Sequence, residues 1–389
     1  MPDFMPLFTD PVAILAVLCL NILLAELIVK RTSLSHLGTA FTTILLTAIT
    51  ANLGLIPSSS PATPLYDGIF SYVAPISIFF LMLSVNLNSL RKAGARMLLM
   101  FLVGTVGTLI GALVAMWAVS GKESIGALFY ALGGMFTGTY IGGSINFNAV
   151  ALHYGVSNEG TLFAAATAAD NILSAIWIAA TIAIPKLFMR WFPRQKVTIK
   201  AQQEDLSGYV NDEETVNPQD LSVLLLLGFG SIYLSKVIVS WLPQVPSVLI
   251  LTTIALALAQ VPAIHRLRGN KLLGLFCVYL FLAVIGAYCD IPALLKDGEL
   301  AITLLVFVTI LVLVHAIIIF GVGALFRQDW DIVGIASQAN IGGSASAMAC
   351  AKSLGREDLA LPAILIGALG NASGTYWGIL IAELMHKWM

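Results

Sequence analysis

Charge is missing from most of this chain, in run after run of about 20 residues or more. A bilayer core takes about 20 apolar residues per helical crossing, so runs of that length call for membrane-spanning helices. Only 11% of the 389 residues are charged, against about a quarter in a soluble domain, while 58% are apolar and the mean hydropathy is +0.92. Eleven of the charged residues are crowded between Lys186 and Asp220, leaving still fewer to cover a globular surface. The chain reads as an integral, all-α polytopic membrane protein. A soluble enzyme, a nucleic-acid binder and a secreted scaffold are excluded, and the lipid bilayer is its first partner. The net charge of -1 carries no information on others. Cys19, Cys277, Cys289 and Cys350 lie in or beside apolar runs without metal-ligand spacing and read as small core residues. The N-terminus holds two aspartates and no basic residue, so the first run is expected to be a retained span.

Twelve apolar segments are expected at 11–29, 36–55, 68–87, 96–119, 125–150, 160–185, 221–241, 246–264, 271–289, 299–325, 331–351 and 359–385. Lys30 and Arg31, and then Arg91, Lys92 and Arg96, place the first and third connections inside and the N-terminus outside. Arg190, Arg194, Lys196 and Lys200, and later Arg266, Arg268 and Lys271, also point inside. Twelve single crossings cannot satisfy all four clusters. One crossing more or fewer is needed between Lys122 and Lys186, and the fifth segment, which carries Gly138-Thr139-Tyr140-Ile141-Gly142-Gly143-Ser144, is the one expected to be re-entrant or broken. The two halves then have opposite orientation. The domain reading is an N-terminal membrane repeat over 1–185, a charged cytoplasmic linker over 186–220 and a C-terminal membrane repeat over 221–389, in a plasma (inner) membrane. The basic part of the linker suits anionic headgroups.

An internal repeat supports the two halves. At an offset of 200, Ile141-Gly142-Gly143-Ser144 meets Ile341-Gly342-Gly343-Ser344, and Ala149, Ala151, Gly155, Ala168, Asn171 and Trp177 meet Ala349, Ala351, Gly355, Ala368, Asn371 and Trp377. These make 10 identities over 39 ungapped positions. Upstream, Asn86 and Lys92-Ala93-Gly94 correspond more weakly to Asp290 and Lys296-Asp297-Gly298.

Small residues alone would let helices pack closely. The glycine segments also carry Thr139, Ser144, Asn146 and Asn148 in one half, and Ser337, Gln338, Asn340, Ser344 and Ser346 in the other, which packing does not require. Helix breaks at Gly142-Gly143 and Gly342-Gly343 would free backbone groups and half-helix ends for an ion or solute, and paired interrupted segments in inverted halves point to a transporter's site. Asp170 is the one acid deep in a span; its nearest charged neighbours in sequence are Glu159 and Lys186. An ionised carboxylate at that depth costs about 2.5 to 3.5 kcal/mol, so it faces water, carries a proton or binds a cation, unless it only accepts hydrogen bonds from broken-helix amides. Asn171 beside it offers a neutral oxygen, so a sodium ion at Asp170 and Asn171 is expected, in competition with a proton. No other cofactor is expected. Gly370 stands where the repeat would place a second Asp170, while Asn371 is retained. His315 reads as a proton relay or as a helix-packing histidine. Lys236 is expected to snorkel, His153 to be structural, and Trp177 and Trp377 to pack; Asn21, Asn86 and Asn88 remain weaker candidates for a path.

The runs from Gly138 and Asn340 resemble the signature of the family called domain of unknown function 819, and the resemblance covers nearly the whole chain. That family is grouped with the cation–proton antiporter and anion transporter superfamily. The resemblance implies two inverted-topology repeats with paired discontinuous helices that cross near mid-bilayer, in segments 5 and 11, as in sodium–proton antiporters and bile-acid symporters. A core would move against a panel, and a homodimer is common in such folds. In the antiporters an Asp-Asp or Asn-Asp pair follows the first broken helix; Asp170-Asn171 occupies a similar place in reversed order.

The expected function is secondary active transport by alternating access, with a site drawn from Asp170, Asn171, Thr139, Ser144, Asn146, Asn340, Ser344 and Asn371. Cation–proton exchange leads over sodium-coupled symport of a small organic anion. No Walker-type phosphate loop is present, so a gradient rather than ATP is the expected drive. A non-transporting sensor and an intramembrane enzyme are remote alternatives. An aspartyl enzyme needs two deep acids, and a serine enzyme would need Ser144 or Ser344 beside His315.

Overall fold

The computed structural model describes residues 6–32, 38–58, 63–85, 87, 90–197, 216–292 and 298–389. Asn86, Asn88, Lys296, Asp297 and the middle of the charged linker, 198–215, lie outside the described residues. Among the described residues all regular structure is helical, with no strand.

The principal helices are α1 Pro11–Arg31, α2 Gly38–Asn52, α3 Pro64–Met82, α4 Ala95–Ala118, α5 Phe129–Gly142, α6 Ser144–His153 and α7 Gly160–Trp191 in the first half. The second half contributes α8 Pro218–Trp241, α9 Ser247–Ala259, α10 Asn270–Ala287, α11 Gly298–Leu325, α12 Trp330–Ser353 and α13 Ala360–Trp388. Starts are written locally. Asp10 caps α1 by accepting from Val12 and Ala13 N–H, with Pro11 at the first helical position, and Asn217 and Pro218 repeat the device at α8. In α3 the backbone widens to a π turn at Ile69–Val73, just before Pro75, which has no N–H to give.

Among the described residues, eight helices are long and apolar enough to cross a membrane: α1, α3, α4, α7, α8, α10, α11 and α13 with the short turn before it. The four apolar segments outside that set are the second and fifth of each half. α2 and α9 are 15 and 13 residues long, and the fifth segments are the two glycine-containing ones. α7 continues through Lys186 and Arg190 to Trp191, so the charged connection begins later than its charges suggest.

The helices pack as two bodies. α10 lies between α2 and α3, with α1 on α2 and with α8 and α9 against α3. In the other body α4 crosses α11, α5 lies along α13, and α12 packs on both α13 and α7. Each body thus takes the same three positions from each half. They meet where α7 touches α2 and α10, and where α9 touches α6 and α13. Asn21 belongs to the first body: its amide donates to Thr47 and Thr50, fastening α1 to α2, which is a structural role.

The glycine segments do not cross each other as two broken helices, which corrects the expectation. Each folds back on itself as a helical hairpin. Gly143 (φ 99°, ψ 175°) and Gly343 (φ 74°, ψ −169°) take a backbone conformation that a side chain resists, and the chain reverses there. In the first hairpin Tyr130 on α5 meets Tyr154 just past α6 with ring centroids 5.4 Å apart, and Phe136 meets Phe147 at 5.6 Å. In the second, Arg356 just past α12 pairs with Asp329 just before it at 2.9 Å and with Asp331 at 3.1 Å. A continuous helix of that length would hold such residues tens of ångströms apart. The two hairpins come from opposite ends. α13 starts beside Arg356 and ends beside Tyr154, whose hydroxyl donates to Glu383 at 2.9 Å, and beside Tyr130, which stacks on His386. Their tips meet: a Cβ built on Gly143 would lie 3.8 Å from Gly343 Cα.

Candidate ion site at the hairpin tips

Two glycine ladders at a spacing of four residues bring α5 and α13 together. Gly134, Gly138 and Gly142 face Gly378, Gly374 and Gly370, and a Cβ on Gly142 would overlap the Gly370 carbonyl group. Small residues at that spacing let two backbones touch in a bilayer. Gly142→Val is therefore expected to be destabilising by about 1–3 kcal/mol or more through overpacking. Gly321→Ala, where nothing lies within 4 Å, should not lower the thermal unfolding temperature.

The same ladder in the other half is rewritten with polar groups. At the offset of 200, Gly370, Gly374 and Gly138 become Asp170, Ser174 and Gln338. Where one half closes backbone on backbone, the other places a carboxylate, a hydroxyl and an amide. Asp170 is half-buried on α7 with the Tyr140 and Ser174 hydroxyls as its neighbours. Its Oδ1, the Tyr140 hydroxyl and Gln338 Nε2 are all buried without a hydrogen-bond partner. An unmade bond at a buried polar atom costs about 1–3 kcal/mol, so three of them near the tips mark a place that suits an ion, a proton or water.

The other expected residues divide into two groups. Asn171, Ser344 and Asn371 are half-buried and Ser144 is exposed, and Asn371 Oδ1 lies 3.6 Å from the Cβ position of Gly143. Ser144, Ser344 and Asn371 belong to the tip, and Asn171 follows Asp170 on α7. Gly142, Gly143 and Gly343 form the tip backbone, whereas Gly342 packs on Gln338 and Ser346. Thr139, Asn146 and Asn340 are buried. Asn146 accepts from Thr375 at 2.7 Å and donates to the Gly370 carbonyl at 3.5 Å, and the Asn340 amide meets Thr105 Oγ1 at 3.1 Å. Those two amides brace the hairpins rather than face the tip, a correction to the expected site. Tyr140 and Ser174 were not legible as candidates. Carrying the offset of 200 through the whole glycine ladder singles out Ser174, but nothing in the sequence marks Tyr140. Among the described residues no cluster of three or more His, Cys, Asp or Glu has metal-binding geometry.

His315 is fully buried, and its Nε2 meets Ser337 Oγ at 2.9 Å rather than Ser144 or Ser344. His153 lines a cavity of about 560 Å³ between the two bodies, with Gln244, Leu249, Tyr376 and Glu383. There the Tyr376 and Thr253 hydroxyls share a bond of 2.7 Å that joins α13 to α9. Lys236 lies over the Tyr72 ring, and Trp177 is buried while its repeat partner Trp377 is 36% exposed.

All-helical among the described residues, with eight helices of spanning length there and polar groups among apolar segments, this is a polytopic membrane protein. The chain belongs to the family described as "Protein of unknown function (DUF819)", which it matches over residues 13–388. It is also 28% identical over 358 residues to a protein of Bacillus subtilis (strain 168) described as "Uncharacterized membrane protein YjcL", covering 87% of each chain.

Proposed function

We propose that this protein is a secondary active transporter that exchanges a cation for protons at Asp170 by alternating access, rather than an enzyme or a sensor. The observation that carries this reading is the half-buried carboxylate with an unpartnered oxygen, set beside two hydroxyls, where the opposite half has Gly370 and Gly374 in place of Asp170 and Ser174. A carboxylate in that position exchanges a proton for a cation at little structural cost, and a polar site inside a membrane is a functional site by default. The fold agrees with inverted-topology repeats, with re-entrant fifth segments in place of the crossing broken helices that the resemblance implies.

Orientation follows from the hairpins. With both folding back, the eight long helices and the shorter α2 and α9 make ten crossings. All four basic clusters then fall on one side, the cytoplasmic one, and the N-terminus lies outside, which removes the conflict in the crossing count. The first hairpin enters from outside and the second from inside, so each access route has its own hairpin.

A second reading, sodium-coupled symport of a small organic anion, draws on Gln338 Nε2. It is a buried donor without an acceptor, suited to a carboxylate oxygen. The deciding experiment reconstitutes the protein in liposomes holding a pH dye and imposes sodium, potassium or lithium gradients. Cation-driven pH change above that of protein-free vesicles supports exchange. No pH response from folded protein to any of the three overturns it and turns the search to anion uptake.

The contact between the bodies predicts a second result. Thr253 and Tyr376 join them in this conformation, and alternating access must separate them. In a chain freed of its native cysteines, a Thr253→Cys, Tyr376→Cys pair bridged by a short bismaleimide should abolish ion-driven flux. The same pair left unbridged should retain it. Flux that survives bridging would show that the bodies do not part here.

A further inference from the structure

We propose that His315 is the positioning residue that ties the two hairpins together around Asp170, acting as a neutral strut with its proton on Nδ1. The claim deepens the ion-site reading and rests on it for its consequence, though not for its geometry.

The strut is a directed chain of hydrogen bonds through five elements. His315 Nδ1 lies 2.9 Å from the Gly104 carbonyl, which only accepts, so Nδ1 carries the hydrogen. Nδ1 also lies 3.0 Å from Thr108 Oγ1, and that hydroxyl donates onward to the Tyr140 carbonyl at 3.0 Å, leaving its lone pairs to His315. On the other side, Trp177 Nε1 only donates, and it reaches Ser337 Oγ at 3.2 Å. Ser337 must then spend its own hydrogen on His315 Nε2 at 2.9 Å. Every donor meets an acceptor only when Nδ1 is protonated and Nε2 is bare. The Trp177 ring stands edge-on to the imidazole, with centroids 6.2 Å apart, and holds it in place.

Both ends of this chain return to the carboxylate. Tyr140, whose carbonyl ends one side, presents its hydroxyl to Asp170. Trp177, which begins the other side, follows Asp170 by seven residues on α7 and so shares its helix face. Ser337 belongs to the second hairpin and Tyr140 to the first, so His315 reads the position of both and sets Tyr140 against the acid. α11 can approach this closely because Gly104, Gly107 and Gly111 clear the facing surface of α4. A Cβ at Gly107 would press on the His315 backbone at 3.2 Å.

The test has two arms. Nitrogen-15 spectra of histidine-labelled full-length protein in nanodiscs, assigned by loss of a signal in His315→Asn, should show the Nδ1–H tautomer. That signal should move in Ser337→Ala and also in Asp170→Asn, a change a merely packed histidine would not report. An Nε2–H tautomer, or a signal indifferent to Asp170→Asn, overturns the proposal. In sodium-driven vesicles, His315→Leu should weaken the apparent sodium affinity about tenfold, the size of one buried bond left unmade, with little change in maximal rate. His315→Asn, which keeps a donor near Gly104, should recover most of it. Loss of maximal rate with unchanged affinity in both variants would also overturn it. If wild type responds to none of sodium, potassium and lithium, the exchange reading falls while the nitrogen spectra still decide the strut.

Discussion

Asp170→Asn is expected to bring the cation-driven pH change of reconstituted vesicles down to that of protein-free ones. Asparagine has nearly the same shape and keeps an oxygen beside the Tyr140 and Ser174 hydroxyls, so the fold should survive and the thermal melt should stay close to that of wild type. What it loses is the ability to exchange a proton for a cation. An ionised carboxylate in a span costs about 2.5 to 3.5 kcal/mol, which the protein bears at this one deep position while its repeat partner is Gly370. If Asp170 only accepted structural bonds, the amide would serve almost as well and flux would persist. Persistent flux in a well-folded Asp170→Asn protein would therefore sink the exchange mechanism at this residue.

Arg356→Met is expected to destabilise the protein by about 3–5 kcal/mol, the cost of leaving buried charges without their partner. The Asp329 and Asp331 side chains are 0% and 8% exposed, and the Arg356 side chain is 6% exposed between them. Burial by itself would lower the guanidinium pKa, but bonds to Asp358, Asp329 and Asp331 hold it above the ordinary arginine value. The cluster also fastens the start of the interhalf connection. Arg356 donates to the Val197 carbonyl at 2.6 Å, Asp329 accepts from Val197 N–H at 2.9 Å, and Lys196 reaches Asp331 at 3.6 Å. Adding Asp329→Asn and Asp331→Asn to Arg356→Met should recover part of the loss, because the uncompensated charges are then gone. Equal melting of the single and triple variants would show that packing, not charge, holds the base of the second hairpin.

Much of the fold was legible because a bilayer leaves so few choices. Apolar runs of spanning length must become helices whose backbone groups bond internally, and that rule alone places α1, α3, α4, α7, α8, α10, α11 and α13. The charge clusters were at odds with twelve single crossings and pointed to the segment around Gly143. They could not say that the second glycine segment also reverses. Positive φ at Gly143 and Gly343 permits a kink or a full turn equally, and only contacts such as Tyr130 with Tyr154 and Asp329 with Arg356 choose the turn.

The site divides in the same way. Asp170 stands out in the sequence because an acid far from other charges is conspicuous in an apolar run, and the offset of 200 exposes its exchange for Gly370. The amides of Asn146 and Asn340 look identical in sequence to a ligand's partners, yet they are consumed by Thr375 and Thr105, residues 229 and 235 positions away. His315 likewise could not be sorted between relay and packing until Gly104, Thr108 and Ser337 surrounded it. Hydropathy is a local property that solvent reads one segment at a time, so the sequence by itself determined the class and the helices. Whether a polar side chain is free or spent depends on partners hundreds of residues away, and only the tertiary structure decided that.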